Sequence, residues 1–290
     1  MHNELTEDIF ENQQKLHTNL KDPKAQNILE QAEKNWVEYT PKNIETKIAG
    51  VDSSQNQVKF QGHSFWAVKA NAIGINSEII KQEFEWGNAS QAKIGKIFDS
   101  IPPKLEYRVA RNASSKSDFV LIDGSLSSRF YMRQQKIPGK SEDEIIKTIK
   151  ECKNILYISK NSTSNEEFKA EIADIAYYDH ATHSAGFSKL RIDDRFYRPE
   201  KGWGIDKISY TFVRMPGTLG CFKLELYGTG YTHEDIKKIM DKISFNCVKG
   251  YPYVLKQAHN NCVITSKYMK RMHKMAGMNG EFGAREILNG

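Results

Sequence analysis

Uninterrupted apolar runs stand out along the chain, and they predict buried β-strands. Residues 119–122 (FVLI) are apolar and β-branched, and a glycine and a serine end the run directly after Asp123. A similar run at residues 47–51 is followed by Asp52 and two serines. Each run therefore predicts a strand that carries a carboxylate at its C-terminal end.

Shorter runs predict the remaining strands of a sheet. Residues 64–75 are largely apolar, and residues 55–62 before them have turn character, so the first strand and this one are predicted to form a hairpin. Residues 83–90 follow no clear period. Three further strands are predicted at residues 155–159, 208–214 and 221–227.

Apolar residues at helical spacing predict helices between and around these strands. Residues 4–39 predict a helical segment broken near Pro23, and we expect it to pack on the sheet rather than to serve a partner. The prolines at 102 and 103 predict an interruption within residues 93–113. Capping boxes predict helix starts at residues 141–144 and 164–167. Later helices are predicted at residues 232–245, after Pro252, and at residues 266–275.

This order of elements predicts an α/β protein with a mixed sheet, part of it antiparallel, flanked by helices. The chain has 290 residues, which suits one large domain or two modest ones. Residues 179–204 show few periodic signals and predict a long loop. No internal repeat or low-complexity linker divides the sequence.

Composition narrows the class of protein only slightly. A hydrophobic content of 39% and a charged content of 27% are typical of a globular protein, and no apolar run is long enough for a membrane span. The polar, acidic residues 1–10 do not resemble a secretory signal. Four cysteines without a CxxC pair favour a reducing, cytoplasmic setting. A formal net charge of +6 is weak evidence for a polyanionic partner.

The two predicted strand ends provide the main chemical hypothesis. Open α/β sheets bind ligands beyond the carboxyl ends of their strands, where Asp52 and Asp123 would meet. Two carboxylates that close raise each other's pKa unless a cation lies between them. The alternative is that each aspartate merely caps a turn, but their matched contexts favour a shared divalent-metal site.

Other candidates find less support in their surroundings. His180 and His183 are three residues apart but have no second ligand pair. Residues 193–195 (DDR) predict a local ion-pair cluster. The turn at residues 217–220 lacks a GxxxxGK[ST] motif, and no GxSxG nucleophile elbow occurs in the chain.

Four short motifs, in this order and spacing, resemble the NurA family of archaeal and bacterial DNA-end-processing nucleases. They are VDSS at 51–54, LIDGSL at 121–126, ISK at 158–160 and GYPYVLKQAH at 250–259. The resemblance covers residues 48–267. The chain departs from the family where Asp52 is followed by Ser-Ser, since the family usually has Gly-Ser there.

The resemblance implies an RNase H-like fold and a manganese-dependent nuclease. It implies a single nuclease domain over residues 1–290, with a helical segment at 1–43 and a core with insertions at 47–275. The expected activities are endonuclease cleavage of single-stranded DNA and 5′-to-3′ exonuclease cleavage of duplex ends, in end resection for double-strand break repair.

The resemblance also extends the candidate site to five residues. Asp52 and Asp123 match the family's strand-end metal acids, and Glu106 matches the acid on the preceding helix. Tyr251 and His259 match the tyrosine and histidine of the C-terminal motif. Taken alone, Glu106 is a solvated helix residue, Tyr251 an aromatic packing residue, and His259 a packed or surface histidine.

The physical chemistry of phosphodiester cleavage agrees with this ligand set. Divalent ions between carboxylates supply an activated water and neutralise charge on the phosphate. Asp52, Glu106 and Asp123 offer oxygen ligands that suit Mn²⁺ or Mg²⁺, and His259 favours Mn²⁺. The site could hold one ion or two. His259 could be a metal ligand or an acid–base catalyst. Lys160 is a candidate phosphate contact.

The resemblance implies partners as well as a substrate. The expected partners are DNA, a HerA-type hexameric translocase, a second copy of the chain, and the nuclease–ATPase complex that recognises breaks. Basic residues near the C-terminus either line a DNA channel or form a solvated helix face: Lys267, Lys270, Arg271 and Lys274. Two alternative functions are a non-catalytic DNA-binding adaptor of a translocase and an RNase H-like nuclease acting on RNA or branched junctions.

Overall fold

The computed structural model describes residues 22–134, 140–195, 207–217 and 220–278. Its strands are β1 (Trp36–Glu38), β2 (Ile48–Lys59), β3 (His63–Gly74), β4 (Ile79–Ser90), β5 (Phe119–Asp123), β6 (Ile155–Ser159), β7 (Gly186–Ser188), β8 (Arg191–Asp193), β9 (Ile208–Arg214), β10 (Phe222–Tyr227), β11 (Cys247–Val248) and β12 (Tyr251–Pro252). Its helices are α1 (Pro23–Lys34), α2 (Gln91–Ser114), α3 (Leu126–Gln134), α4 (Lys140–Glu151), α5 (Asp174–Ala181), α6 (His233–Ser244), α7 (Tyr253–Cys262) and α8 (Ser266–Met275).

One mixed sheet forms the centre of the molecule, as predicted. Its order is β1-β7-β9-β10-β6-β5-β2-β3-β4, with β8 paired to β9. Strands β2, β5 and β6 are parallel neighbours, and the other pairings are antiparallel. A long hairpin beside a parallel trio is the arrangement of an RNase H-like sheet, so the predicted fold class is confirmed.

The parallel pairing of β2 with β5 brings the two aspartates to one place. Val51 lies opposite Ile122 in this pairing. The next residues along the two strands, Asp52 and Asp123, therefore lie side by side at the C-terminal end of β5. The prediction that Asp52 ends its strand is wrong, because β2 continues to Lys59. Antiparallel pairing with β3 extends along this whole length, which confines the predicted turn at residues 55–62 to residues 60–62.

Helices cover both faces of the sheet. On one face, α2 and α4 pack against β2 and β5 around Val51, Val120 and Ile122. On the other, α6 and α7 pack over Leu121 and Leu156. Within the part of the chain that the structure describes, no helix has the length and apolar character to span a bilayer.

The N-terminal segment packs on the sheet, as expected for its described part. Ala25 and Ala32 of α1 are buried in a cluster with Tyr178 and Phe212. The prediction that the helix continues to residue 39 is wrong, because the helix ends at Lys34 and residues 36–38 form β1, which pairs with β7 at the edge of the sheet. The helical prediction for residues 4–21 lies outside the described residues.

The prolines do not interrupt α2, which is a second difference from the prediction. Pro102 and Pro103 lie inside a continuous helix of 24 residues. Each proline removes one backbone hydrogen bond, but the helix buries an apolar face that includes Leu105 and Val109. Packing against β2, β3 and β4 therefore outweighs the local preference.

Local signals also misplaced elements in the middle of the chain. The capping box at residues 164–167 opens no helix, because the Asp174 carboxylate accepts the N–H groups of Glu167 and Phe168 and the helix begins at Asp174. The predicted loop at 179–204 contains the end of α5 and strands β7 and β8. The unassigned residues 83–90 belong to β4, which has no fully buried face and exposes the aromatic side chains of Phe84 and Trp86. The predicted helices at 141–149, 232–245 and 266–275 are present.

Candidate active site

The site lies in the middle of the sheet, at the C-terminal end of β5 where it runs beside β2. This end of the two strands is called the site edge. Asp123 is the last residue of β5, and Gly124 turns the chain with a φ of 114°. That conformation favours glycine because it has no Cβ. The Gly124 N–H donates to the Ile158 carbonyl at 2.8 Å, which fixes the turn to the neighbouring strand. The Asp123 carboxylate is thereby left at the site edge, partly open to solvent.

Asp52 faces the α7 side of the sheet and is held by three neighbours. Its Oδ1 accepts the Ser53 N–H at 2.8 Å, and its Oδ2 lies 2.8 Å from His259 Nδ1. The Cys262 thiol lies 3.7 Å from the same Oδ2. The Asp52 side chain is only 14% exposed, whereas the His259 ring is 64% exposed. The histidine therefore forms the open wall of the site.

A glycine in β2 allows α7 to deliver this histidine. A Cβ at Gly50 would lie 2.4 Å from the Val254 carbonyl oxygen and 2.8 Å from the Leu255 nitrogen. Both atoms belong to the first turn of α7, so only glycine lets the helix lie this close to the strand. The close approach places His259 directly over Asp52.

Glu106 reaches the site edge from the opposite face of the sheet. It lies on α2 and is buried. The Ser53 hydroxyl donates to Glu106 Oε1 at 2.5 Å. Because Ser53 follows Asp52 on the strand, its side chain points to the other face and links the two acids.

Arg129 is a site residue that sequence reasoning missed. It lies on α3, forms an ion pair with Glu106, and donates from Nη2 to the Asp123 carbonyl oxygen at 3.2 Å. Burial disfavours its charge, but Glu106 and Tyr107 hold the pKa of Arg129 above its ordinary value. Its only signal in the sequence is a basic residue one turn into the helix that follows Asp123.

Lys160 and Tyr251 complete the site beside Asp123. Lys160 Nζ lies 3.5 Å from Asp123 Oδ2 and 4.2 Å from the centre of the Tyr251 ring. The Tyr251 hydroxyl is buried and makes no hydrogen bond of ordinary length to the described residues. Burial, and then the charges of Asp123 and Asp52, raise the pKa of Tyr251 far above its ordinary value. The phenol therefore stays protonated and is available to donate a hydrogen bond to a neighbouring anion or oxygen.

The three acids lie close enough together for Glu106 and Asp123 to affect the pKa of Asp52. Burial raises the pKa of Asp52, and the negative charges of Glu106 and Asp123 raise it further. The hydrogen bonds from His259 and Ser53 act in the opposite direction. The five residues predicted from the sequence thus come together, with Lys160 and Arg129 beside them.

The donor set suits a hard divalent cation in kind. Three carboxylates and one imidazole are ligands that Mn²⁺ and Mg²⁺ accept. The pKa of Asp52 is raised first by burial and then by the negative charges of Glu106 and Asp123, and a bound cation would offset those charges. As the side chains stand, the carboxylates pair with His259, Arg129 and Lys160. Among the described residues, no three His, Cys, Asp or Glu side chains surround one point closely enough to hold an ion in this arrangement.

Comparison with protein families decides the relationship. The family model described as the NurA domain matches residues 46–264, which include all five predicted site residues. The chain belongs to the NurA family. The DNA double-strand break repair nuclease NurA of Sulfolobus acidocaldarius is 22% identical, over 84% of this chain and 85% of the relative.

Solved NurA structures share the fold. The crystal structure of the NurA nuclease from Sulfolobus solfataricus has a TM-score of 0.79 and 21% identity, over 96% of this chain and 97% of that one. The crystal structure of NurA bound to dAMP and manganese has a TM-score of 0.63 and 15% identity, over 99% of this chain and 98% of that one. At these identities the likeness establishes the NurA fold.

The remaining basic and histidine candidates lie apart from this NurA site. Lys267, Lys270, Arg271 and Lys274 are exposed on α8, which fits both a solvated face and a DNA channel. The predicted ion-pair cluster at 193–195 is present, since Arg195 pairs with Asp193 and with Glu166. His180 and His183 are exposed.

Proposed function

We propose that this NurA family member is a metal-dependent deoxyribonuclease that processes DNA ends for double-strand break repair. The observation that carries the proposal is the convergence of Asp52, Glu106 and Asp123 on the site edge, where each adds to the local negative charge. Such crowding of carboxylates is unfavourable without a cation and is typical of sites that bind one.

The proposed metal ligands are Asp52, Glu106, Asp123 and His259. The bound ion, Mn²⁺ or Mg²⁺, would supply an activated water and neutralise charge on the scissile phosphate. Mn²⁺ is the better match because it accepts imidazole together with carboxylates. The carboxylates would exchange their present basic partners for the ion, since those partners occupy the oxygens that face the site edge.

Side chains beside the carboxylates would then be available to the substrate. Lys160 stands at the partly open side of Asp123 and would contact a DNA phosphate. Tyr251, held protonated by its burial, would donate a hydrogen bond to the phosphate or to the attacking water. His259 is exposed and would serve either as a ligand or as a proton carrier.

The relatives support DNA as the substrate. The Sulfolobus acidocaldarius relative is a double-strand break repair nuclease, and a NurA structure of the same fold holds dAMP and manganese. We propose that the chain cuts single strands internally and degrades duplex ends from 5′ to 3′.

Purified Asp52→Asn and Asp123→Asn variants test the proposal. With Mn²⁺ and fluorescently labelled single-stranded and blunt duplex DNA, we expect cleavage to fall by at least about 1000-fold in both, because each loses a metal ligand. Asp194→Asn is the matched control, since it removes one exposed aspartate away from the site. Full activity in either site variant, or cleavage that resists a chelator, would contradict the mechanism.

The same assay separates the alternative functions. Binding of DNA by the native chain without any cleavage would identify a translocase adaptor. Faster cleavage of RNA or of branched junctions than of DNA ends would identify a different RNase H-like nuclease. Labels at the 5′ and 3′ ends, compared over time, report the polarity of digestion.

We further propose that the chain works in the cytoplasm as a homodimer with a HerA-type hexameric translocase, alongside the break-recognising nuclease–ATPase complex. Family membership supports this assembly. Light scattering of the full chain measures the dimer, and co-purification with a HerA-type ATPase measures the complex. A monomer at micromolar concentration that fails to bind the translocase would contradict it.

A further inference from the structure

A buried ion pair lies within the same sheet as Asp123. Lys223 Nζ and Glu225 Oε1 are 2.7 Å apart on β10, and each side chain is 1% exposed. Burying two charges costs more desolvation energy than their attraction returns in many proteins, so such a pair seldom exists for stability alone. The other contacts of the two residues indicate what it does.

Glu225 accepts hydrogen bonds from the first residues of α3. Its Oε2 accepts the Leu126 N–H at 2.5 Å and the Ser127 N–H at 3.2 Å. Its Oε1 accepts the Ser127 hydroxyl at 2.5 Å and the Ser125 hydroxyl at 3.2 Å. The first N–H groups of a helix have no partner inside the helix, and a carboxylate satisfies them well. Glu225 therefore caps α3 from a strand that lies 99 residues further along the chain.

This cap lies next to two of the proposed metal acids. The residues that Glu225 holds follow directly after Asp123 and Gly124. One turn into the same helix, Arg129 pairs with Glu106 and donates to the Asp123 carbonyl oxygen. A shift of the start of α3 would move the Asp123 turn and the guanidinium together.

Lys223 keeps Glu225 in the state that caps best. Burial alone would raise the pKa of Glu225, but Lys223 and the Ser127 donors hold it below its ordinary value. Lys223 Nζ also lies 4.4 Å from the centre of the Tyr210 ring, which fixes the ammonium group. The carboxylate is thus ionised at neutral pH with its oxygens directed at α3.

We propose that Glu225, with Lys223 as its buried countercharge, is a positioning residue that holds Asp123, and the Arg129 partner of Glu106, in place at the proposed metal site. This inference rests on the proposed nuclease function. It acts through α3, since Glu225 is buried and bonds to Lys223 and the Ser125–Ser127 donors.

Two double variants separate positioning from simple core stability. Lys223→Met with Glu225→Leu removes the cap and both charges of the pair together, so neither partner is left buried alone. Lys223→Met with Glu225→Gln also removes both charges but keeps an amide oxygen that can accept from α3. The matched control is Asp241→Asn, because Asp241 is a buried carboxylate that accepts a backbone N–H from Lys42 away from the site.

The readouts are direct as well as catalytic. Mn²⁺ binding is measured from the loss of the free-ion electron paramagnetic resonance signal on titration with protein. Hydrogen exchange of the peptide containing Leu126 and Ser127 reports the cap, and the thermal midpoint reports the fold. Cleavage of single-stranded DNA is measured across Mn²⁺ concentrations.

We expect the Met/Leu variant to bind Mn²⁺ about 10- to 100-fold more weakly, the usual effect of losing an outer-shell partner. Its backbone amide hydrogens at Leu126 and Ser127 should exchange faster with solvent, and excess Mn²⁺ should restore part of its cleavage of single-stranded DNA. The Met/Gln variant should recover most of the Mn²⁺ affinity, and Asp241→Asn should bind Mn²⁺ as the native chain does. If the double variants fail to fold, Ser127→Ala keeps the ion pair and should weaken Mn²⁺ binding by about threefold, in line with one lost hydrogen bond.

Other results would overturn the inference. Native Mn²⁺ affinity in the folded Met/Leu variant, or in Ser127→Ala when that variant is needed, would show that the cap does not act on the site. Equal losses of Mn²⁺ affinity in both double variants and in Asp241→Asn, in proportion to their thermal midpoints, would show that the pair contributes only to the stability of the core. If the native chain bound no Mn²⁺, the proposed function would fail together with the positioning role, while hydrogen exchange would still show whether Glu225 anchors α3.

Discussion

The carboxylate of Asp52 is held in an environment that opposes its charge. Burial, Glu106 and Asp123 raise its pKa, and the hydrogen bonds from His259 and Ser53 compensate only in part. Between the ordinary and the raised pKa, the folded chain binds more protons than the unfolded chain. The contribution of Asp52 to stability is therefore present at low pH and is lost as the pH rises through the folded-state value. At neutral pH without metal, the ionised Asp52 therefore lowers the free energy of unfolding.

Asp52→Asn should therefore stabilise the metal-free chain while it removes activity. We expect the free energy of unfolding at about pH 7 to rise by about 1 kcal/mol, and the gain to shrink as the pH approaches about 4, where the native carboxylate is protonated too. Urea unfolding at several pH values measures this. Asp194→Asn should change little, and a variant that loses stability at neutral pH would show that the His259 hydrogen bond outweighs the crowding.

Arg129→Met should destabilise the chain strongly, because it leaves Glu106 buried without its cation. The expected loss is about 3–5 kcal/mol in urea unfolding. Arg129→Lys keeps the charge and should lose about 1 kcal/mol. Combining Arg129→Met with Glu106→Gln should restore most of the stability, and a double variant as unstable as Arg129→Met would mean that packing on Tyr107, not charge, is the main contribution.

At the scale of elements, the site depends on how closely two helices approach the sheet. Helix α7 lies against β2 at Gly50, and α2 lies against the other face, where Ser53 meets Glu106. The strand between them alternates its side chains, so Asp52 serves one helix and Ser53 the other. The separation of these layers, more than any single contact, sets the distance between the acids and His259.

Gly50→Ala should displace α7 and separate His259 from Asp52. The added methyl would lie 2.4 Å from the Val254 carbonyl oxygen, so we expect a loss of about 1–3 kcal/mol in stability and a drop in cleavage of about 100-fold or more. Gly95→Ala is the matched control, because a Cβ there meets open space on α2 and should stabilise by up to about 1 kcal/mol. Native cleavage by Gly50→Ala would show that the spacing between α7 and β2 does not control activity.

At the scale of the whole molecule, the N-terminal elements belong to the fold. Helix α1 covers aromatic residues of α5 and β9, and β1 closes one edge of the sheet through β7. An appendage kept for a partner alone would leave the core intact when removed. The packing here indicates a structural contribution instead.

Removing residues 1–42 should destabilise the chain by at least about 3 kcal/mol, since it takes away the buried apolar surface of α1 and the strand β1. The chain without residues 1–21 keeps both elements and is the reference for this comparison. The comparison uses thermal and urea unfolding of both truncations. Equal stability of the two would show that α1 and β1 add nothing to the core.

Local patterns were sufficient for much of the fold. Apolar runs predicted β5, β6, β9 and β10, and the capping box at residues 141–144 predicted the start of α4. They also placed Asp123 at a strand end and led to the hypothesis that it lies beside Asp52, since neighbouring parallel strands share an edge. Strand β4 was not assigned because neither of its faces is fully buried and its aromatic residues Phe84 and Trp86 are exposed. Helix α2 was divided because its packing outweighs the local effect of two prolines.

The sequence by itself determined which apolar runs form buried strands and that Asp123 ends one of them, because a run of a few residues carries that signal. The meeting of Asp52 and Asp123 was a hypothesis that the pairing of β2 with β5 then confirmed. Glu106, Tyr251 and His259 entered only through the family resemblance, and their roles stay predictions. Only the tertiary structure decided that Arg129 pairs with Glu106, that α7 sets His259 on Asp52, and that Glu225 caps α3. These contacts join residues far apart in the chain, and no local period specifies which faces of helix and sheet will pack together.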